Sequence, residues 1–495
     1  MIDAPARAID TPGWGSHTFL MMPSNPLRNL PSIHEVLDSP SLRAVLGRIS
    51  RSAVVSTVRT VLDEVRREMQ TAAADRTLPS ARDLAERIAQ RVAQGPLPEL
   101  RPVINATGFV LGGELGPPPL AEEAITAVAA VAGDYASLAL NLATGRPCRR
   151  SAAVEELLGE LCGAEAALVL NSDAAATLLV LAALAAGRKV IVSRAHVIDR
   201  GHGWRLPDLL SASGAISAEV GTASSADLND YALAIGESTA AILVVNPGNA
   251  AAGRAAQSAT LEELVVLGRR HQLPVVHDLA GGALVDFRPF GLAGQPLVGQ
   301  SIKAGAGLVL VSGDTLLGGP ACGIVLGRKA LVERLERHPL APVLAADRLT
   351  LAALAATLRL YRDPQKACLN IPLLRLLGTA VENLQNRAER LAPQAAAAPA
   401  IAEAEAMADV ASFGWGSSPA QELPTWCVAL RPAKMTVDRL ADALRSGTPA
   451  VVGRKKDDRL LLDLRSVLPR QDTQLWAALQ ALEKSEASTE GANPL

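Results

Sequence analysis

The stretch AALVLNSDAAATLLVLAALAAGRKVIVSR, residues 166–194, decides the fold. It consists of a short apolar run, an apolar helical segment and a second short apolar run. Five further apolar runs follow between Ala215 and Gly327 and alternate with helical segments. Strands that are apolar along their whole length are typical of a sheet covered on both faces. The pattern therefore predicts an α/β fold with a mainly parallel sheet wrapped by helices.

Changes in composition and periodicity divide the rest of the chain. Apolar residues recur at spacings of three and four before the core, which predicts amphipathic helices, and strand and helix patterns alternate after it. The predicted regions are a disordered tail (1–26), an N-terminal helical domain (27–100), a large core domain (101–385), a small C-terminal α+β domain (386–485) and a second disordered tail (486–495). Such a chain of 495 residues is long enough for two to four domains.

Two breaks in the pattern mark the predicted domain boundaries. The segment QGPLPELRPVINATG, residues 94–108, is rich in Pro and Gly and is expected to be a linker. The alanine-rich residues 391–411 are expected to form a helix or a hinge.

Composition excludes several classes of protein. The net charge is −2, so no global charge excess favours DNA or other nucleic acid, although the cations comprise 40 arginines and 8 lysines. The five cysteines show no C-x-x-C spacing, which argues against a disulfide framework and a zinc site. No signal peptide is evident, and the longest apolar stretch, Ala174 to Ala186, is too short to cross a bilayer. We therefore expect a cytoplasmic protein without a metal or a membrane partner.

Candidate site residues lie where the predicted strands end. No nucleotide-binding glycine motif, zinc-protease motif or serine-hydrolase elbow occurs in the chain. In an open parallel sheet, ligands bind outside the carboxyl ends of the strands, which selects Asn171, Arg194, Asn246, Asp278 and the 312–320 turn. The Asp278 carboxylate at a strand tip can hold a protonated pyridine nitrogen. Alternatively, it is a turn or helix-capping aspartate.

Eight motifs in order carry a family resemblance. They are INATG, YASLALNLATG, SRAHVIDRGHGWRLPDLL, SGAISAEVGT, DLAGGALVDF, SGDTLLGGPACGI, HPLAPVLAADRLTLAALAATL and DDRLLLDLRSVLP. From about residue 28 to 485 the chain resembles the bacterial selenocysteine synthases, the L-seryl-tRNA(Sec) selenium transferases. The resemblance implies the fold-type-I architecture of pyridoxal-phosphate enzymes, a tRNA-gripping N-terminal domain and a homo-oligomeric ring. It also implies the replacement of the hydroxyl of tRNA-bound serine by selenium.

The same resemblance places the cofactor lysine of the family at Thr315, in SGDTLLGG. Threonine has no amine, so it cannot form a Schiff base or serve as the acid and base of the proton-transfer step. The remaining candidates for pyridoxal phosphate are Asp278, Asn171, Ser172, Asp173 and Ser312. In LNSDAAA, Asp173 should cap the following helix and repel a phosphate dianion.

Arginines supply the candidates for substrate anions and RNA. Arg146, Arg149 and Arg205 are the candidate anion ligands, and a surface ion pair is the alternative for Arg205. Residues 27–70 are the candidate tRNA(Sec)-binding region because seven arginines lie between residues 28 and 67, although a solvated helix face is the alternative. Three hypotheses remain: a working selenium transferase, a non-catalytic relative that binds tRNA or another partner, and an enzyme of different chemistry.

Overall fold

The computed structural model describes residues 31–42, 51–71, 80–93, 100–112, 114–197, 205–246, 258–414 and 421–490. The chain divides into two compact units, Met1–Arg101 and Pro102–Leu495. The expected disordered tail 1–26 lies outside the described residues.

The N-terminal unit is helical, as the three-and-four spacing predicts. Its named helices are α1 (Ile33–Leu37), α2 (Arg51–Thr71) and α3 (Ala81–Ala93). They share an aliphatic core that includes Val36, Val58, Leu62 and Ile88. A capping box at Ser32 fixes the start of α1, since Ser32 and Glu35 each accept a hydrogen bond from the backbone N–H of the other.

The second unit contains a seven-stranded sheet. Its strands in chain order are β4 (Ala166–Leu170), β5 (Lys189–Ser193), β6 (Ile216–Val220), β7 (Thr239–Val245), β8 (Val275–Asp278), β9 (Leu308–Ser312) and β10 (Gly323–Gly327). The spatial order is β4-β10-β9-β8-β7-β5-β6. The contacts from β9 to β6 are parallel, whereas β10 pairs antiparallel with both β4 and β9. All seven apolar runs predicted as strands are strands of this sheet.

Helices cover the sheet and continue along the rest of the second unit. In order they are α4 (Glu122–Gly133), α5 (Ala152–Cys162), α6 (Asp173–Ala185), α7 (Leu206–Ala212), α8 (Leu228–Ala234), α9 (Leu261–Arg270), α10 (Val298–Ala304), α11 (Lys329–Glu336), α12 (Ala341–Leu344), α13 (Arg348–Leu360), α14 (Pro364–Asn370), α15 (Pro372–Leu377), α16 (Val381–Ala396), α17 (Val437–Ser446) and α18 (Asp472–Glu490). Within the described ranges, short 3-10 helices span Arg194–His196, Arg288–Phe290 and Pro469–Gln471. Helix α6 is buried along most of its length, which explains its nearly uniform apolar sequence.

A second sheet has five strands in the order β1-β13-β14-β12-β11. These strands are β1 (Val103–Ala106), β11 (Ile401–Phe413), β12 (Gln421–Pro432), β13 (Ala450–Lys456) and β14 (Arg459–Asp463). Strand β1 lies in the expected linker and pairs parallel with β13, so the start of the core region contributes to the C-terminal sheet. A short hairpin of β2 (Leu140–Asn141) and β3 (Arg146–Pro147) stands exposed.

Two expectations near the C-terminus need correction. Residues 391–411 are neither one helix nor a hinge, because α16 ends at Ala396 and β11 begins at Ile401. The run AEAEAMADV alternates small apolar and acidic residues, which suits a strand with one exposed face. The tail expected from residue 486 begins as helix, since α18 continues to Glu490 through Glu and Ala, which favour helix. Within the described ranges, no helix has the length and apolarity to cross a membrane.

Candidate functional site

The candidate site lies at the carboxyl edge of the seven-stranded sheet, where several strand ends meet. Asp278 ends β8 and pairs in register with Leu310 of β9. The backbone N–H of Ser312, at the end of β9, donates to the carbonyl of Ala280 at 2.6 Å. The edge therefore brings Asp278 beside the turn that carries Thr315.

Asp278 is a fully buried carboxylate. Its Oδ1 accepts from the backbone N–H of Ala280 at 3.0 Å, and its Oδ2 accepts from the hydroxyl of Thr177 at 3.3 Å. Thr177 lies on α6, 101 residues away in sequence. The turn role predicted as the alternative is thus present, and the carboxylate is also held by a helix on one face of the sheet.

Thr177 was not predicted from the sequence, although a signal for it exists. It is the single polar residue between Ala174 and Ala186. A hydroxyl inside an apolar buried helix needs a hydrogen-bond partner, and Asp278 supplies one.

The turn after β9 is closed by its own hydrogen bonds. The Thr315 hydroxyl donates to the carbonyl of Ser312 at 3.2 Å, and the Ser312 hydroxyl donates to the Asp314 carboxylate at 2.6 Å. Gly318 has a φ of +65°, and a Cβ there would lie 2.7 Å from Ile371. Both polar side chains proposed for this turn, Thr315 and Ser312, therefore donate within the turn itself.

The start of α6 faces the same edge. Ser172 is its N-cap, and the Ser172 hydroxyl accepts from the backbone N–H of Ala175 at 3.2 Å. Asp173 places a carboxylate in the first turn, and its Oδ1 is buried. The backbone of Gly323 packs so closely on Ser172 that a Cβ at position 323 would overlap the Ser172 carbonyl. Asn171 Oδ1 accepts from the Ser172 hydroxyl at 3.3 Å.

Two histidines near this edge are neutral at physiological pH. His277 Nδ1 lies 3.0 Å from the Ser301 hydroxyl, and burial lowers the pKa of His277 to about 4 while the Asp278 charge partly opposes this. Burial lowers the pKa of His196 to about 4 as well. No group of three or more metal-ligating side chains occurs among the described residues.

Comparison with known proteins identifies the family. Residues 103–468 match the model of the L-seryl-tRNA selenium transferases, and residues 27–66 match that of the selenocysteine synthase N terminal. This chain belongs to the L-seryl-tRNA selenium transferase family. The family resemblance predicted from the sequence is thereby confirmed, and pyridoxal phosphate is the cofactor that the family implies.

Individual members of the family are similar over nearly the whole chain. The L-seryl-tRNA(Sec) selenium transferase of Moorella thermoacetica is 41% identical over 93% of this chain and 97% of its own length. The corresponding protein of Hyphomonas neptunium is 40% identical over 90% of this chain and 96% of its own length.

One solved structure supports the fold. D-glucosaminate-6-phosphate ammonia-lyase superposes with a TM-score of 0.51 at 20% identity and covers 78% of this chain and 97% of its own. The predicted fold-type-I architecture is confirmed at the level of fold.

Two of the three arginines predicted to bind substrate anions have carboxylate partners within the chain. Arg205 forms a two-point ion pair with Asp208 on the surface, at 3.0 and 3.1 Å. Arg149 pairs with Glu155 and, at 2.9 Å, with Glu336. Arg146 lies exposed on the β2–β3 hairpin. Arg149 and Arg205 are thus already engaged by carboxylates of this chain.

Proposed function

We propose that this chain is a non-catalytic member of the selenium transferase family that binds RNA and copies of itself and forms no imine with pyridoxal phosphate. The observation that carries the proposal is the side chain of Thr315, whose hydroxyl donates to a backbone carbonyl at the position where the family resemblance places the lysine. An imine requires a primary amine, which a hydroxyl cannot replace.

No lysine elsewhere in the chain supports a replacement. Lys189 begins β5 and Lys329 follows the antiparallel β10, which places both at the amino edge of the sheet. Lys455 and Lys456 belong to β13 of the C-terminal sheet, where they pair with Asp438 and Asp409. The other four lysines lie on α10, on α14, between β12 and α17, and on α18: Lys303, Lys366, Lys434 and Lys484.

The phosphate end of the cofactor also fits poorly. A helix N-terminus at the carboxyl edge of a sheet attracts phosphate through its free N–H groups and its dipole. Here the Ser172 hydroxyl accepts a hydrogen bond from one of those N–H groups, that of Ala175. The Asp173 carboxylate adds a negative charge to the same turn. Asp278 alone among the candidates suits the cofactor, as a partner for its ring nitrogen. The residues at this edge therefore do not fit pyridoxal phosphate as an imine-forming cofactor.

Binding of tRNA is the function that remains to the N-terminal unit. Relatives named for their action on seryl-tRNA(Sec) share the N-terminal region matched here by residues 27–66. Within residues 27–70, the described side chains of Arg59 and Arg66 lie exposed on α2, seven residues apart and thus on one helix face. The Arg66 guanidinium also forms an ion pair with the Asp63 carboxylate at 2.6 Å. Exposed arginines on one face suit contacts to RNA phosphates.

The decisive experiment is reduction of the protein with borohydride in the presence of excess pyridoxal phosphate, followed by intact mass and peptide mapping. We expect no adduct at a single site in the natural chain. A Thr315→Lys variant restores an amine at this position, and formation of an adduct in it would show that the rest of the cleft accepts the cofactor. A Thr315→Gln variant is its matched control, because it lengthens the side chain without adding an amine. One stoichiometric adduct on a core lysine of the natural chain would refute the proposal.

An active selenium transferase is the second candidate, favoured by the 41% identity over nearly the full chain. Conversion of seryl-tRNA by the purified protein, lost in a Thr315→Val variant, would establish it. RNA binding is measured separately by gel shift with tRNA. We expect Arg59→Glu to weaken that binding, and Arg439→Glu, an exposed arginine of α17, to leave it unchanged.

A further inference from the structure

A groove of about 790 Å³ is lined by residues of the α14–α15 corner, by residues of α16 and by Pro469. None of the residues proposed above for the cofactor or for substrate anions lines it. Cavities of roughly 300–1,000 Å³ are the usual size for small-molecule sites. The groove is therefore large enough for an organic ligand.

One side of the groove is cationic. Three of its lining residues are arginines, Arg375, Arg387 and Arg390, and none of the described lining residues is acidic. The Arg387 guanidinium already has partners within the fold, because it donates to Asp472 at 2.7 Å and to the carbonyls of Leu464 and Val467. Asp472 is thus shared by two arginines, because Arg390 also donates to it at 2.8 Å.

Arg375 adds a second positive charge. Its side chain is exposed, and no carboxylate of the described residues lies within 4.0 Å of its guanidinium. Together with the half-compensated Arg387–Arg390 pair, it leaves about two uncompensated positive charges at the groove. Arginine suits phosphate because its planar fork can donate two parallel hydrogen bonds.

The groove is also lined by apolar side chains and by amides. The Phe290 ring lies against the backbone of Gly378, and Leu369 is 68% exposed beside it. Asn383 and Asn386 follow each other at a spacing of three on α16, which places both amides on the face that also carries Arg390. Side-chain amides pair with base edges, and aromatic rings stack on bases.

We propose that this groove binds a nucleoside phosphate, with the phosphate at Arg375 and Arg390 and the base between Phe290 and the two asparagines. A bare anion would use the arginines alone, and an aliphatic carboxylate would leave the amides without partners. A nucleotide uses all three sets of groups. The proposal does not depend on whether the carboxyl edge is catalytic.

Equilibrium dialysis of the full chain with adenosine 5′-monophosphate tests the proposal. We expect Arg375→Ala to weaken binding by about tenfold, as expected for the loss of a charged hydrogen bond. Arg439→Ala, an exposed arginine outside the groove, should leave the affinity unchanged. Phe290→Ala should weaken binding of the nucleotide without changing the affinity for inorganic phosphate. A short oligonucleotide as a second probe distinguishes a free nucleotide from an RNA end as the source.

Cys368 provides an independent readout because it lines the groove. Bound nucleotide should slow the reaction of Cys368 with a maleimide and leave that of Cys148, which does not line the groove, unchanged. This measurement uses the natural chain, so it does not depend on whether a variant folds. Equal affinity for inorganic phosphate and nucleotide, or an unprotected Cys368 at saturating nucleotide, would overturn the assignment.

Discussion

Among the described residues, two buried aspartates end strands, and their contacts differ. Asp463 ends β14 and accepts from the Thr425 hydroxyl at 2.7 Å, the Arg465 backbone N–H at 3.0 Å and the Arg454 guanidinium at 3.1 Å. These contacts join β14 to β12 and β13, so they hold the C-terminal sheet together.

Asp278 ends β8 and is equally buried, but its surroundings differ. It accepts from the Ala280 N–H and the Thr177 hydroxyl, and the backbone N–H of Ser312, in the turn that carries Thr315, donates to the carbonyl of Ala280. Asp463 therefore joins strands within one sheet, whereas Asp278 joins a strand end to a covering helix. Under the function proposed above, the edge at Asp278 also lacks the amine that the family resemblance places at Thr315. Each half of this contrast can be tested.

The largest effect is expected at Gly108, which packs on Asp463. Gly108 has a φ of +82°, and a Cβ there would overlap the Asp463 carboxylate. Gly145 is the matched control, because its φ of +64° is similar and a Cβ added there would meet no atom within 4 Å. Alanine at either site should cost about 1–2 kcal/mol for the left-handed backbone. Gly108→Ala should cost about 1–3 kcal/mol more from overpacking, measured by urea unfolding.

Equal losses of unfolding free energy in the two glycine variants would contradict the first part of the comparison, the structural role of the Asp463 cluster. They would mean that the Asp463 cluster yields to an added methyl group, and that its close packing on Gly108 does not stabilise the C-terminal sheet.

The next effect concerns the phosphate end of the carboxyl edge. In a Thr315→Lys background, Asp173→Asn removes a negative charge from the first turn of α6 and keeps a similar shape. We expect the affinity for pyridoxal phosphate, measured from its absorption spectrum, to rise at least about tenfold, or about 1.4 kcal/mol. Asp208→Asn, on the exposed start of α7, is the control.

The outcome of that experiment sharpens the contrast. Tight binding by Thr315→Lys alone would show that only the amine is missing. No binding by the double variant would show that the edge is closed to the cofactor in further ways.

The sequence predicted the large sheet well because its strands are apolar on both faces. Short, wholly apolar runs such as AAILVVN are too short for a typical helix and therefore predict buried strands. The end of the run LPVVHD places Asp278 at the carboxyl edge without any knowledge of contacts. Strand β1 could not be predicted in this way, since its partner β13 begins about 350 residues later, at Ala450. Strand β11 was obscured by alanine, which favours helix although the run alternates.

The candidate site was only partly predictable for a similar reason. Strand ends indicate which side chains meet at one edge, but not which of them are already paired. The contact of Arg149 with Glu336 spans 187 residues, and that of Thr177 with Asp278 spans 101. Neither pair follows from local spacing, so the engagement of these groups became evident only from the structure.

A pH effect follows from His277 at the carboxyl edge. Burial lowers its pKa from 6.5 to about 4, so the unfolded chain binds more protons than the folded chain between these values. The contribution of His277 to stability is therefore fully present above pH 6.5 and is lost as the pH falls towards 4. Between pH 7.5 and 5.5 the loss should be about 1.4 kcal/mol. His277→Asn should remove this part of the pH dependence of unfolding, and His271→Asn, at an exposed position, should not.

The smallest effect is expected at Thr315 itself. Thr315→Val keeps the branched shape and removes only the hydroxyl that donates to the Ser312 carbonyl at 3.2 Å. Loss of one such half-buried hydrogen bond should cost about 0.5–1.5 kcal/mol in urea unfolding, and Thr315→Ser should cost less because it keeps the donor. A loss above about 3 kcal/mol would mean that Thr315 is as much a part of the fold as Asp463 is. A small loss together with unchanged tRNA binding would mean that neither the fold nor RNA binding depends on the Thr315 hydroxyl.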